Sequence, residues 1–258
     1  MEIKIFDSLL HPTISGKFEF SNRDKSVSFD DVVREIHENN FLGGCAVGMP
    51  NEKCYDHREF FKQCSKFDCL IPVAGISTLS LSELQMVYRI GYKFVKIHPR
   101  SISSNFSLKK LEKFLKKCPE FNIKVFLCTY NYLRPGVSRN ALLTLDNIQN
   151  LVCEVQNTKI ILVHGGNVEL LKCAEIVRNF PNLLLDLSLT FLKYDSSSID
   201  NDIQFLFKSF DQRICIGTDS PDFNLKDTKA KFYNFTKNLD KEKINNISHL
   251  NIINFLEI

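Results

Sequence analysis

The sequence predicts a (β/α)8 barrel, the TIM-barrel form of α/β architecture, with residues 1–258 as one domain. Three observations predict it. Eight short apolar runs rich in Ile, Val, Leu and Phe read as buried strands, segments of helical spacing lie between most of them, and 258 residues is the usual dimension of eight such units closed into a barrel. A doubly wound open sheet is the main rival. Its nucleotide-binding form loses support because Ser8-Leu9-Leu10-His11-Pro12 follows the first run with no Gly-x-Gly-x-x-Gly.

The first strand is expected over Ile3 to Asp7, and a helix over Phe29 to Glu38, where Asp30 is a suitable helix start. Gly43 to Val47 reads as the second strand and Asp56 to Lys66 as its helix, followed by a strand over Leu70 to Ala74 and a helix over Ser80 to Ile90. The fourth strand, Phe94 to Ile97, leads to a helix from Ser107 to Lys117 that Pro119 terminates. Ile123 to Leu127 and a helix over Arg139 to Val155 form the fifth unit, and Ile160 to Val163 with Asn167 to Asn179 the sixth, closed by Pro181. Leu183 to Asp186 with Ile199 to Phe210 is the seventh unit, and Arg213 to Ile216 is the eighth strand. The tail from Lys226 to Ile258 reads as two or three helices, enough for the last barrel helix and a cover over one end.

Composition narrows the function classes. The net charge is +3 and the lysines are spread along amphipathic helices such as Leu108 to Lys117, which argues against a nucleic-acid binder. No run of about 18 apolar residues exists and Met1 to Ile5 leads straight toward a strand, so neither membrane span nor signal peptide is expected. Nine cysteines, an odd number with no Cys-x-x-Cys, point to reduced thiols in the cytosol, most acting as small buried hydrophobes. The expected partner is a small-molecule substrate, with a homo-oligomer left open.

A parallel barrel gathers the carboxyl ends of its strands around one cavity, so polar residues at those ends are the candidates for chemistry. They are Asp7 and His11 after the first strand, Lys96, His98 and Arg100 at the fourth, Cys128 and Tyr130 at the fifth, His164 at the sixth and Asp219 at the eighth. His164 ends four apolar residues and precedes Gly165-Gly166, where the backbone can pass close to a ligand. Lys96 sits inside Phe94-Val95-Lys96-Ile97, where a buried ammonium needs a partner or an anionic ligand, or else reaches the barrel rim. Each histidine has a plainer reading as a loop hydrogen-bonder, and Asp219 as a cap before Ser220-Pro221.

The segments Phe6-Asp7-Ser8-Leu9-Leu10-His11-Pro12, Gly91 to Pro99, Leu162-Val163-His164-Gly165-Gly166, Ile216-Gly217-Thr218-Asp219-Ser220-Pro221 and Asn251 to Leu256 together resemble the amidohydrolase superfamily, in order and across nearly the whole chain. The resemblance is nearest to the amidohydrolase-related branch that holds metal-dependent hydrolases and aminocarboxymuconate-semialdehyde decarboxylase-like enzymes. It implies His-x-His on the first strand, histidines on the fifth and sixth, and an aspartate on the eighth, around a divalent metal. This chain departs from it, with Leu9 in place of the first histidine and Cys128 where the fifth-strand histidine is expected.

Two routes follow from the resemblance. His11, Cys128 and Asp219 offer nitrogen, sulfur and oxygen donors for a rebuilt zinc or manganese site, although Cys128 serves equally as a packed thiol in the space of an imidazole. In a metal-free version, like the metal-independent lactonases of the superfamily, Asp219 activates water on an ester that is already labile. Either way the expected activity is a hydrolase, decarboxylase or lyase acting on a small anionic carbonyl compound. Asp219 is then the general base, His164 polarises the carbonyl, Lys96 and Arg100 hold a carboxylate, and His98 and Tyr130 complete the binding set. The competing class is a barrel that has kept the scaffold and lost turnover. A phosphate-binding barrel is weaker still, because no Gly-rich loop follows the seventh or eighth strand.

Overall fold

Helix starts are written locally in this chain. Ser28, Asp56, Ser80, Ser107, Thr144 and Asn224 each accept a hydrogen bond from a first-turn N–H, satisfying a donor that has no intrahelical partner. The computed structural model describes residues 3–18, 26–102, 106–132 and 142–258. Its elements are β1 (Ile5–Leu10), α1 (Phe29–Glu38), β2 (Phe41–Val47), α2 (His57–Cys64), β3 (Leu70–Ile76), α3 (Leu81–Ile90), β4 (Phe94–Ile97), α4 (Leu108–Lys117), β5 (Lys124–Cys128), α5 (Leu145–Glu154), β6 (Ile160–Val163), α6 (Leu170–Asn179), β7 (Leu183–Asp186), α7 (Thr190–Lys193), α8 (Ile199–Ser209), β8 (Ile214–Cys215), α9 (Leu225–Thr236), α10 (Lys241–Asn245) and α11 (Asn251–Leu256).

The strands run in the order β1 to β8, each parallel to the next. Closure comes from backbone bonds between the first and last: Ser8 N to Ile216 O at 3.1 Å, Asp219 N to Leu9 O at 3.0 Å and His11 N to Ser220 O at 2.9 Å. The predicted barrel is therefore the observed one.

Alternation along the strands sorts the apolar residues into two layers. One fills the barrel itself, with Phe6, Leu9, Val47, Val73, Phe94, Phe126, Ile161, Val163 and Leu184. The other lies between the sheet and the helices, with Ile5, Ala74, Val95, Ile97, Val125, Leu127, Ile160 and Leu162 packed against Phe60, Leu84, Phe114, Ile148 and Val177. Leu9 is fully buried in the inner layer, so the residue that replaces the expected histidine is part of the barrel's packing.

Several predicted boundaries move by one or two residues, among them the second strand, which starts at Phe41, and the third, which runs to Ile76; three further shifts bear on the site. The first strand runs to Leu10 instead of ending at Asp7, because Leu10 pairs with Ala46 and the Ser8–Leu9 segment bonds across the closure. Asp7 therefore lies within the strand and beneath its end. The sixth helix starts at Leu170, after an irregular turn over His164–Glu169 in which Gly165, Gly166 and Asn167 all have positive φ. The eighth strand shortens to Ile214–Cys215, with Arg213 in the preceding turn, where its guanidinium is held by the carbonyls of Val177, Phe180 and Leu183. The predicted start at Arg139 lies outside the described residues, and the helix itself is described from Leu145.

The tail behaves as predicted. Helix α9 completes the outer ring, and α11 sends Ile252 and Leu256 into the barrel core, where the ammonium of Lys124 at the start of β5 donates to Leu256 O at 2.6 Å. Leu256→Ala should thus open a cavity at the foot of the barrel and cost about 2–5 kcal/mol. Urea unfolding of the variant against the parent measures that loss, and a change under about 0.5 kcal/mol would mean that α11 is not part of the core. Among the described residues no helix is long and apolar enough to cross a membrane.

Candidate active site

At the carboxyl ends of the strands lies a cavity of about 290 Å³, at the small end of the range for small-molecule sites. It is lined by His11, Lys96, His98, Arg100, Tyr130, His164 and Asp219, and also by Lys193 and Tyr132. Seven of the sequence candidates line this one cavity, and Cys128, only 1% exposed, is not among its lining residues.

His11 follows β1 directly. Its Nδ1 donates to Val47 O at 2.9 Å, which turns Nε2 to the cavity, 3.2 Å from Asp219 Oδ1 and 3.5 Å from Lys96 Nζ. His164 is fixed in the same manner from the opposite side, with Nδ1 donating to Ser188 O at 2.9 Å. Both His164 (φ +70°) and Asp219 (φ +57°) occupy left-handed backbone, where a side chain is strained. Strain of this kind concentrates at functional sites, because it persists only where the surroundings hold it.

The charges are set by these contacts. Burial alone would raise the Asp219 carboxyl, yet the His164 charge, the His11 hydrogen bond and the Lys96 ammonium outweigh it and hold the group well below the usual carboxylate range. His164 moves the other way: burial opposes its charged form, but Asp219 and Cys128 raise it above the ordinary imidazole value. Cys128 lies against the imidazoles of both His98 and His164, and their attraction overcomes burial to hold its thiol well below the ordinary range. Burial keeps His98 low, and its Nε2 accepts from Arg100 Nη2 at 3.1 Å.

Arg100 and Lys193 flank one ring. The guanidinium carbon stands 4.4 Å from the Tyr130 centroid and the Lys193 ammonium 4.2 Å from it, with Lys193 donating to Tyr130 Oη at 2.6 Å. With Lys96 at the floor, three cations face a small cavity. Lys193 was missed in the sequence because it belongs to a short helix after β7, a unit read only as strand and long helix. Its place in the segment that follows a strand end, seven residues after Asp186, is the signal that marks it.

The expected metal set does not assemble. Among the described residues no three His, Cys, Asp or Glu side chains are placed to hold a metal ion together. The physical reason is visible: Cys128 is turned to His98 and His164, while the His11 nitrogen that would serve as ligand is engaged by Asp219 and faces the Lys96 ammonium. All nine cysteines are free thiols, as expected, and Cys54 and Cys153 are exposed.

Asp7 is a buried strut under this site. It accepts from Leu9 N and Thr218 N, both at 3.0 Å, and from Thr218 Oγ1 at 2.8 Å, tying β1 to the residue before Asp219.

What this geometry defines as a class is a TIM barrel with a cationic, carboxylate-containing cavity at the carboxyl ends of its strands. No family model matches the chain. No curated protein matches it either. Solved structures do. An uncharacterised TIM-barrel protein from Bordetella bronchiseptica aligns over 99% of this chain and 99% of its own with a TM-score of 0.80 and 17% identity. A probable 2-pyrone-4,6-dicarboxylic acid hydrolase from Acinetobacter baumannii, solved with citric acid bound, aligns over 98% and 99% with a TM-score of 0.73 and 18% identity. Amidohydrolase 2 from Bifidobacterium longum subsp. infantis aligns over the full length of both chains with a TM-score of 0.67 and 12% identity. At these identities the likeness carries the fold alone, a TIM barrel.

Burial pushes the Asp7 carboxyl up to about 7, against an unfolded value near 4. The folded state therefore holds this proton more tightly, so the stability it contributes is full below about pH 4, is lost as pH rises through about 7, and is gone above that. Asp7→Asn keeps the shape without the titration. It should narrow the gap in Tm between pH 5 and pH 8, measured by calorimetry, whereas an unchanged gap would place the pH dependence elsewhere.

Proposed function

We propose that this chain is an amidohydrolase-like hydrolase that opens a small anionic carbonyl compound, a lactone carrying carboxylate groups, without a resident metal. The observation that carries the reading is the meeting of Asp219, His11, His164 and Lys96 in one cavity rimmed by Arg100 and Lys193. The bound citric acid and the name of the Acinetobacter relative point to the same ligand chemistry, polycarboxylates.

In this reading Arg100, Lys193 and Lys96 hold the substrate carboxylates, a role for which fixed guanidinium and ammonium donors are suited. His164, charged and with Nδ1 committed to Ser188 O, directs Nε2–H at the substrate carbonyl. A water beside Asp219 adds to the carbonyl carbon as Asp219 takes its proton, and the developing oxyanion is stabilised by His164. Collapse of the tetrahedral species breaks the ester C–O bond, and the proton returns from Asp219 to the leaving alkoxide.

A strongly lowered carboxyl is a weak base in the empty site. A substrate carboxylate on Lys96 offsets one of the cations that depress Asp219 and adds negative charge nearby, so its basicity rises when the substrate is bound, which suits a water-activating role. Because the donors present do not converge on a metal, no step is routed through one.

The test is a panel of lactones including 2-pyrone-4,6-dicarboxylate, with amides and β-keto or unsaturated carboxylic acids alongside. Lactone opening without CO2 release is expected, and it should survive chelation. Asp219→Asn should lower kcat by about 10²–10⁴-fold. Activity that vanishes with chelator and returns with zinc overturns the metal-free route, and activity equal in Asp219→Asn and the parent overturns the site. No turnover across the panel favours the non-catalytic barrel, for which Leu9 and Cys128 are the sequence grounds.

Lys193→Met separates binding from chemistry. Removing a contact made equally in ground and transition states raises KM and spares kcat, so KM should rise by about tenfold or more at nearly constant kcat. The pH profile has a sign as well. Since His164 acts as the charged imidazole and its value is raised, kcat/KM should hold through neutral pH and fall on the alkaline side, above the usual imidazole range near 6.5.

A further inference from the structure

The segment just after β7 is unexplained by the chemistry above, yet it grips His164 at every polar group. Asp186, the last residue of β7 and 1% exposed, accepts from the His164 backbone N–H at 3.2 Å. It also accepts from Ser188 N at 3.2 Å and from the hydroxyls of Ser188 and, across the barrel, Ser8 on β1. Ser188 in turn takes the His164 Nδ1 proton on its carbonyl at 2.9 Å, with its own hydroxyl 3.2 Å from the same nitrogen. Thr190 Oγ1 donates to His164 O at 2.6 Å.

Main-chain N–H, main-chain carbonyl and ring nitrogen of His164 are thus all tied to residues 186–190. This matters because His164 sits at φ +70° before two glycines of positive φ, a conformation that the chain does not keep without support. A carbonyl accepts only, so the bond to Ser188 O also fixes the proton on Nδ1 and leaves Nε2 as the ring nitrogen for the cavity. Ser188 is held in place for this by three bonds to its neighbours, two of them to the Asp186 carboxylate.

We propose that Asp186 is the positioning residue of this site: by anchoring Ser188 and the His164 backbone it holds the ring with Nδ1–H on the Ser188 carbonyl, so that the Nε2–H of the charged ring meets the substrate. The proposal rests on the role given to His164 above and adds a residue that touches no substrate. Its reach extends to β1, because the Ser8 hydroxyl bound to the same carboxylate lies three residues before His11. One buried carboxylate therefore ties the sixth, seventh and first strands together beneath the two imidazoles.

The experiment combines imidazole ¹⁵N NMR with kinetics on the full chain, for Asp186→Asn and Ser188→Ala. Spectra are taken on the alkaline side, where His164 has lost one of its two protons; there the parent should show the Nδ1–H form of the neutral ring, the proton that the Ser188 carbonyl retains, assigned by comparison with His164→Gln. Asp186→Asn should convert much of it to the Nε2–H form and lower kcat on 2-pyrone-4,6-dicarboxylate about 10²-fold, with KM changed far less, as expected for a misaimed group. Ser188→Ala keeps the carbonyl and loses one anchor, so a partial conversion of the same kind is expected. A folded Asp186→Asn with the parent tautomer and kcat overturns the proposal. If that variant does not fold, an unchanged tautomer in Ser188→Ala overturns it instead. Should the parent hydrolyse none of the panel, the functional reading fails, and the tautomer spectra alone decide the role of Asp186.

Discussion

Closure of the barrel between its last and first strands is the constraint on which the rest depends. Short β8 contributes few ladder bonds of its own, and the seam is completed by the loop that follows it, through Asp219 N to Leu9 O and His11 N to Ser220 O. Those bonds place an imidazole from the start of the chain against a carboxylate from near its end, at 3.2 Å. Beneath them the Asp7 carboxyl binds Thr218 through backbone and hydroxyl, which ties the residue before Asp219 to β1. Burial still keeps this carboxyl high, but three donors reduce the desolvation cost and lock the register that the site requires.

The same seam explains the electrostatics. His11, Lys96 and His164 surround Asp219 from β1, β4 and β6, so the carboxylate is held charged even though it is 8% exposed. Further out, Arg100 and Lys193 both stand against the Tyr130 ring, which keeps them near the mouth. Cations outnumber anions in a cavity of about 290 Å³, and such a site attracts a compact anion and rejects cationic or large neutral ligands.

Much of this was legible in the sequence because barrel strands advertise themselves. His164 after Ile160–Val163 and Asp219 after Ile214 to Thr218 were readable as strand-end residues, since four or five apolar or small residues followed by a polar one is what a buried strand entering a cavity looks like. Lys96 was readable for the opposite reason, as a charge inside an apolar strand. The partners of these residues were not readable. Spacing gives no sign that Cys128 turns toward His98 and His164 instead of His11, because that depends on side-chain directions across three strands. Asp186 was read as the last residue of a strand and given no role, although an aspartate there follows the same rule that singled out Asp219.

The end of β1 shows the limit from another side. Asp7 was placed at the strand end, and the real end lies three residues later, because the closing bonds to β8 extend the strand and cannot be seen in local pattern. That three-residue extension decides that Asp7 serves as a strut within the strand instead of facing the cavity from its end.

The most direct measurement is a crystal structure of the Asp219→Asn variant soaked with 2-pyrone-4,6-dicarboxylate. The expected result is a ring lying over His11 and His164, its carboxylates on Arg100, Lys193 and Lys96, its lactone carbonyl at His164 Nε2 and no metal between His11 and residue 219. A ligand seated elsewhere on the barrel, or a metal ion bridging those two side chains, would contradict it.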